Sequence, residues 1–133
     1  LNEMITAMKF DRAASGQRGV YITSVLKVRP PNNRTPTREE AMADGVFLEE
    51  QIRIVSPRVI VTLGKPSSNY LLRSNESMGS LRGVWHEFEG IPVMPTYHPA
   101  FLLRAYTPEN RRRVWDDLQL ALGRLRELGA IDF

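Results

Sequence analysis

Cysteine is absent from the 133-residue sequence, so it cannot form a disulfide framework, a thiolate nucleophile, or a thiolate-held zinc or iron–sulfur site. Histidines number only two, which narrows imidazole chemistry to His86 and His98. Long apolar runs are missing too: 25% of the residues are charged and nothing approaches the ~20 consecutive apolar residues of a membrane span. Lysine is scarce, since 15 of the 18 basic residues are Arg, the side chain whose planar fork matches phosphate. What is present is a 42% hydrophobic chain, which excludes intrinsic disorder and suffices for one domain that buries roughly two-thirds of its unfolded surface. The chain opens at Leu1 on a helical pattern without a signal-peptide profile. The expectation is a single domain over residues 1–133 whose parent protein has a further amino-terminal portion.

The net charge of +3 hides an asymmetry. Residues 24–38 hold Lys27, Arg29, Arg34 and Arg38 with no acid, and residues 101–113 hold Arg104, Arg111, Arg112 and Arg113 against Glu109. These stretches carry +4 and +3, which leaves −4 for the rest of the chain. Positive charge gathered on an otherwise mildly acidic domain is the footprint of a polyanion partner. A run of charge also serves simply to solvate a surface, and on charge alone both readings stand.

Patterning predicts alternating helices and strands. Leu1, Met4, Ile5 and Met8 recur at helical spacing, and Val20 to Thr23 reads as a short buried strand. The stretch Arg29 to Pro36 holds three prolines and two asparagines, so it is an ordered basic loop. Thr37 and Glu40 form a capping box for a helix with Ala41, Leu48, Ile52 and Val55 inward, stopped by Ser56-Pro57. Arg58 to Leu63 is the clearest strand, apolar on both faces and therefore expected inside the sheet. The turn Gly64-Lys65-Pro66-Ser67-Ser68 follows and opens a short helix, a place where backbone donors can meet an anion. Val84 to Phe88 and Ile91 to Met94 flank Glu89-Gly90 as a hairpin, and Thr107-Pro108 caps a long helix with Val114, Leu118, Ala121, Leu122 and Leu125 inward. The expected fold is α/β, a three-layer α-β-α arrangement around a central, mainly parallel four-stranded sheet.

Chemistry is expected in the loops at strand ends. Beyond the carboxyl end of Val93-Met94 comes Pro95 to Arg104, where sites form in open α/β sheets. His98 lies there beside the rigid Pro99, able to act as base, acid or hydrogen-bond donor to a developing anion. A lone histidine also commonly serves structure, and for His86 that is the reading.

The blocks Tyr21-Ile22-Thr23, Lys27, Arg29 to Arg34, Val59-Ile60-Val61 with Leu63-Gly64, Arg82-Gly83 and Thr96 to Arg104 run in one order along the whole chain. Together they resemble the uracil-DNA glycosylase superfamily, most nearly its family-four, iron–sulfur type, also described as phage-type DNA polymerase-related. The resemblance implies a hydrolase of DNA repair: base excision of a flipped uracil from uracil-containing or single-stranded DNA by a cytoplasmic monomer that needs no membrane. His98 matches the histidine that donates to the departing base, and Leu102 and Leu103 lie where apolar wedges fill the stack left by the flipped base, though either also suits core packing. Gly64 to Ser67 matches a phosphate-holding turn, with Lys65 and Ser67 as its DNA-binding residues. Lys27, Arg29, Asn33 and Arg34 border the DNA groove, and Arg104 and Arg111 add phosphate contacts.

Three departures accompany the resemblance. The family's Gly-rich loop, with the acid that positions water, would lie upstream of Leu1. The family has Asn where Ser24 stands, and one hydroxyl cannot make the bidentate contact of an amide with uracil. Val28 and Asp44 stand where cluster cysteines would be, so neither an iron–sulfur cluster nor any other metal or cofactor is expected. An alternative reading is a cluster-free, catalytically weakened nucleic-acid-binding relative.

Overall fold

The computed structural model describes residues 1–11, 19–23 and 38–132, excepting the side chains of residue 2 and residues 38–46. In chain order the elements are α1 (Asn2–Ala7), α2 (Arg38–Val55), β1 (Ile60–Leu63), α3 (Lys65–Leu72), α4 (Met78–Leu81), β2 (His86–Phe88), β3 (Ile91–Thr96), α5 (Pro99–Arg104) and α6 (Pro108–Glu127). The sheet order is β1-β3-β2. β1 runs parallel to β3 with Ile60 opposite Val93 and Leu63 opposite Thr96, and β2 pairs antiparallel to β3 through the Glu89-Gly90 turn. Both turn residues have positive φ, 47° and 83°, the conformation a two-residue hairpin of this hand requires.

The architecture is α/β, with a three-stranded mixed sheet among the described residues where four mainly parallel strands were expected. Val20 to Thr23, the expected fourth strand, forms no ladder there. Tyr21 is 55% exposed rather than buried. Its hydroxyl instead accepts from Gln51 Nε2 at 3.1 Å, and Thr23 donates to Gln51 Oε1 at 2.8 Å, so side chains tie this segment to α2. β1 is an edge of the described sheet and β3 is its centre. An apolar run measures burial on two faces, and Ile60 to Leu63 obtains that from helices while pairing, among the described residues, with β3 alone.

Alternation along β3 sends residues to opposite faces, and each face has its own core. Val93, with Ile60 and Ile91, packs against Leu48 and Ile52 of α2, Leu71 of α3 and Phe88. Val61, on the other face, joins Met4 of α1, Val114 and Leu118 of α6, and Leu102. β3 is consequently the most buried strand, with Val93 and Met94 at 0% exposure, and its carboxyl end emerges between the two helical layers.

The Pro95 to Arg104 stretch, expected as a loop, contains α5. Pro99 at its first position presets φ and needs no donor partner, and His98 caps it, a start signal already present in the sequence. For α6, Thr107 accepts from Asn110 N–H at 3.1 Å, as the sequence predicts, and Gly129 follows with φ 71°. Thr37, the expected cap of α2, lies outside the described residues.

Helix α6 sets its inward stripe by 3.6-residue spacing, and that stripe is testable. Leu118→Ala, at 3% exposure, should lower stability by about 2–5 kcal/mol in denaturant unfolding. Leu120→Ala, at 43% exposure, should stay within about 0.5 kcal/mol. Equal losses would mean that α6 turns a different face toward the sheet.

Candidate nucleic-acid site at the end of the central strand

His98 sits two residues past β3 and is held from both sides. Its Nδ1 accepts the Ala100 backbone N–H at 2.9 Å, so the ring serves as the side-chain cap of α5. An acceptor nitrogen carries no proton, which assigns the proton of the neutral ring to Nε2 and makes Nε2–H the donor. Although the residue is exposed, partial burial of the ring is the foremost cause that lowers its pKa below 6.5, with Arg104 adding to it.

The second support is Gly64, at the end of β1. Its N–H donates to Thr96 O at 2.9 Å, and its φ of 87° with ψ 175° lies in a region essentially reserved for glycine. A Cβ there would stand 3.1 Å from His98 Cβ and 3.7 Å from His98 Cγ. The glycine therefore leaves room for the histidine as well as making the turn, a role that no sequence pattern announces. Beside it, Ser67 Oγ donates to Leu63 O at 3.0 Å, and Lys65 is exposed in the first turn of α3.

The structure divides the two leucines. Consecutive helical residues point ~100° apart, and Leu102 turns inward to the cluster of Met4, Val114 and Leu118 while Leu103 is 79% exposed. Arg104 is exposed next to it. Arg111 donates to Tyr106 Oη at 3.0 Å and lies 5.0 Å from that ring's centroid, which pairs it with an aromatic residue that no motif in the sequence marks. Arg113, exposed like Arg111 and Arg112, donates to Asn110 Oδ1 at 3.0 Å along its own helix. Ser24, Lys27, Arg29, Asn33 and Arg34 lie outside the described residues, as does Val28, and nothing is described of the Asp44 side chain.

A groove of about 380 Å³ opens at the other end of the sheet, lined by charged residues including Glu49, Arg53, Arg73 and Glu89. It lies beside the hairpin turn and away from His98. Among the described residues no helix is long and apolar enough to cross a membrane, and no set of His, Asp and Glu side chains is grouped to hold a metal. With no sulfur donor of the cysteine type in the sequence, an iron–sulfur cluster does not fit this chain.

Two measurements check this geometry. Gly64→Ala should cost about 1–3 kcal/mol in unfolding free energy and shift the His98 ring resonances, because backbone strain and the crowded Cβ act at one point. His98 itself should titrate below 6.5 by NMR. Because the folded pKa lies below the unfolded one, its contribution to stability is full above about pH 6.5 and is lost as pH falls through the folded value. A midpoint above 6.5 would contradict the capped, neutral ring.

Comparison with known proteins supplies the family. Residues 1–119 match the model of the Uracil DNA glycosylase superfamily. A type-4 uracil-DNA glycosylase of Thermotoga maritima is 43% identical over 112 residues, covering 83% of this chain and 58% of that protein. One from Sulfurisphaera tokodaii is 41% identical over 117 residues, 82% of this chain and 50% of its own length. A DNA polymerase of Bacillus phage SP01 is 30% identical over 100 residues, 73% of this chain and 11% of the polymerase. The chain thus spans little more than half the length of the glycosylases it matches. With its match running through both the Gly64 turn and the His98 helix cap, this chain belongs to the uracil-DNA glycosylase superfamily.

Proposed function

We propose that the protein is a base-excision glycosylase, a hydrolase of DNA repair that cleaves the N-glycosidic bond of a flipped uracil or another damaged base. The observation that carries the reading is the cap at His98: Nδ1 is engaged by Ala100 N–H, so a neutral ring offers Nε2–H at the carboxyl end of the central strand. When the bond between C1′ and the base nitrogen breaks, its electron pair goes to the base, and negative charge grows on the ring carbonyl oxygen. A donor already fixed in place stabilises that charge in the transition state more than in the ground state. Water then adds to the sugar cation and loses a proton, a step for which the family resemblance puts the acid upstream of Leu1.

DNA is the proposed partner, uracil-containing or single-stranded. Exposed Leu103 suits the apolar wedge that replaces a flipped base, whereas Leu102 is spent on the core. Lys65, Ser67, Arg104 and Arg111 are proposed on the phosphate side, continued by Lys27, Arg29, Asn33 and Arg34, with Ser24 at the base. The parent protein is proposed to be a cytoplasmic monomer of a single domain, built on the family's four-stranded sheet. Ser24 is the residue that favours the second reading, a binding relative with weakened catalysis, since a hydroxyl replaces the amide that would read uracil.

Alkali-induced strand scission of uracil-containing DNA by the full-length parent separates the two readings. His98→Ala in that protein should slow base release by about 3 kcal/mol, a factor on the order of a hundred, with DNA affinity nearly unchanged. Ser24→Asn should raise uracil release. No release by either the parent or Ser24→Asn, with DNA binding retained, would establish the binding relative instead. Replacing Arg104 and Arg111 together with Gln should weaken DNA binding and flatten its dependence on log salt by about two. An unchanged slope would remove this face from the interface.

A further inference from the structure

Arg82-Gly83 is a block to which the proposed reaction assigns no role, yet it meets the most buried charge among the described residues. Arg82 ends α4 and reaches across to α6, donating through Nε to Asp117 Oδ2 at 3.0 Å and through Nη2 to Asp117 Oδ1 at 2.7 Å. Asp117 is 0% exposed, and its Oδ2 also accepts from Thr96 Oγ1 at 2.6 Å. Gly83, at φ 71°, leaves room for the carboxylate, since a Cβ there would lie 3.1 Å from Asp117 Oδ1.

These contacts fall in series on the segment that delivers His98. Pro95 O accepts from Gly83 N–H at 3.4 Å, and Thr96 O accepts from Gly64 N–H at 2.9 Å. The Thr96 side chain donates to Asp117. Tyr97 lies with the Arg82 guanidinium 6.0 Å from its centroid and stacks on Phe101 at 4.6 Å. Every residue from Pro95 to Tyr97 is thus tied to Arg82, to its neighbour Gly83 or to its partner Asp117.

We propose that Arg82 and Asp117 are positioning residues: the buried fork holds the carboxyl end of β3, and through Thr96 and Tyr97 it keeps the His98 ring seated on Ala100 with its proton on Nε2. The catalytic consequence rests on the glycosylase reading; the seating of the ring does not. An ion pair that merely filled the core would be replaceable without effect on His98, because buried pairs are often matched in stability by apolar residues. A fork that positions demands two parallel bonds, which Lys cannot make.

The test uses Arg82→Lys and Thr96→Val, with Leu48→Ala in the opposite core layer as a control for lost stability. At pH 7.5 the 15N shifts of the His98 ring should change from one Nε2–H pattern toward the average of both tautomers in Arg82→Lys and Thr96→Val, and stay as wild type in Leu48→Ala. In the full-length parent the two site variants should lower kcat for uracil release by about ten- to a hundredfold, with KM within about threefold. If Arg82→Lys fails to fold, Thr96→Val decides. Wild-type ring shifts in the folded site variants, or an equal change in Leu48→Ala, would overturn the proposal. Absence of uracil release from the wild-type parent would defeat the glycosylase reading alone, because the ring shifts still report the seating.

Discussion

A carboxylate without exposed surface constrains everything around it. Removing Asp117 from water is costly unless its charge is matched and its lone pairs are filled, and three hydrogen bonds meet that demand, two from Arg82 and one from Thr96. Because Arg82 ends α4, Thr96 ends β3 and Asp117 lies midway along α6, one buried charge fixes the mutual placement of three elements. Apolar packing alone would let α6 slide over the sheet by small amounts at little cost. A bidentate pair tolerates no such slide, since both bonds lengthen together.

His98 shows how a backbone requirement selects a chemical state. The first turn of α5 needs acceptors for its amides, Pro99 removes one demand, and the imidazole meets the next through Nδ1. Protonation of the ring would forfeit that bond, and partial burial of the ring independently holds its pKa below 6.5, so both favour the neutral form. A neutral donor also suits the proposed role, since it strengthens as charge develops on the base and does not require a cation to be desolvated beforehand.

Much of this is legible in the sequence. The β-branched run at Val59 to Val61, the Glu89-Gly90 turn and Thr107-Pro108 each impose a local conformation that the fold keeps. The ordered blocks lead to the family. Other features are illegible because they arise between elements. Gly64 reads as a turn, yet its closeness to His98 depends on β1 lying beside β3. Asp117 carries a signal that is easily missed: it falls on the stripe of Val114, Leu118 and Ala121, and an acid at such a position is buried with a partner or breaks the helix face. Patterning predicts strand pairing at Val20 to Thr23, and among the described residues that segment forms no ladder, with Tyr21 and Thr23 engaged by Gln51. The division of Leu102 from Leu103 requires the start of α5, which fixes the phase of that helix.

Prolines occupy two positions of the central strand, Pro92 opposite Glu87 and Pro95 opposite Thr62. Amides of successive strand residues point to opposite edges, so prolines three apart delete one donor from each side of β3. The strand that leads to His98 therefore relies, besides its ladders, on the side chains packed above and below it and on Thr96 bonded to Asp117. Local opening follows the contacts that hold a segment, and for the end of β3 these include α6 as well as the sheet. The segment around His98 is accordingly coupled to α6, which begins ten residues downstream at Pro108, and the two should gain and lose amide protection together.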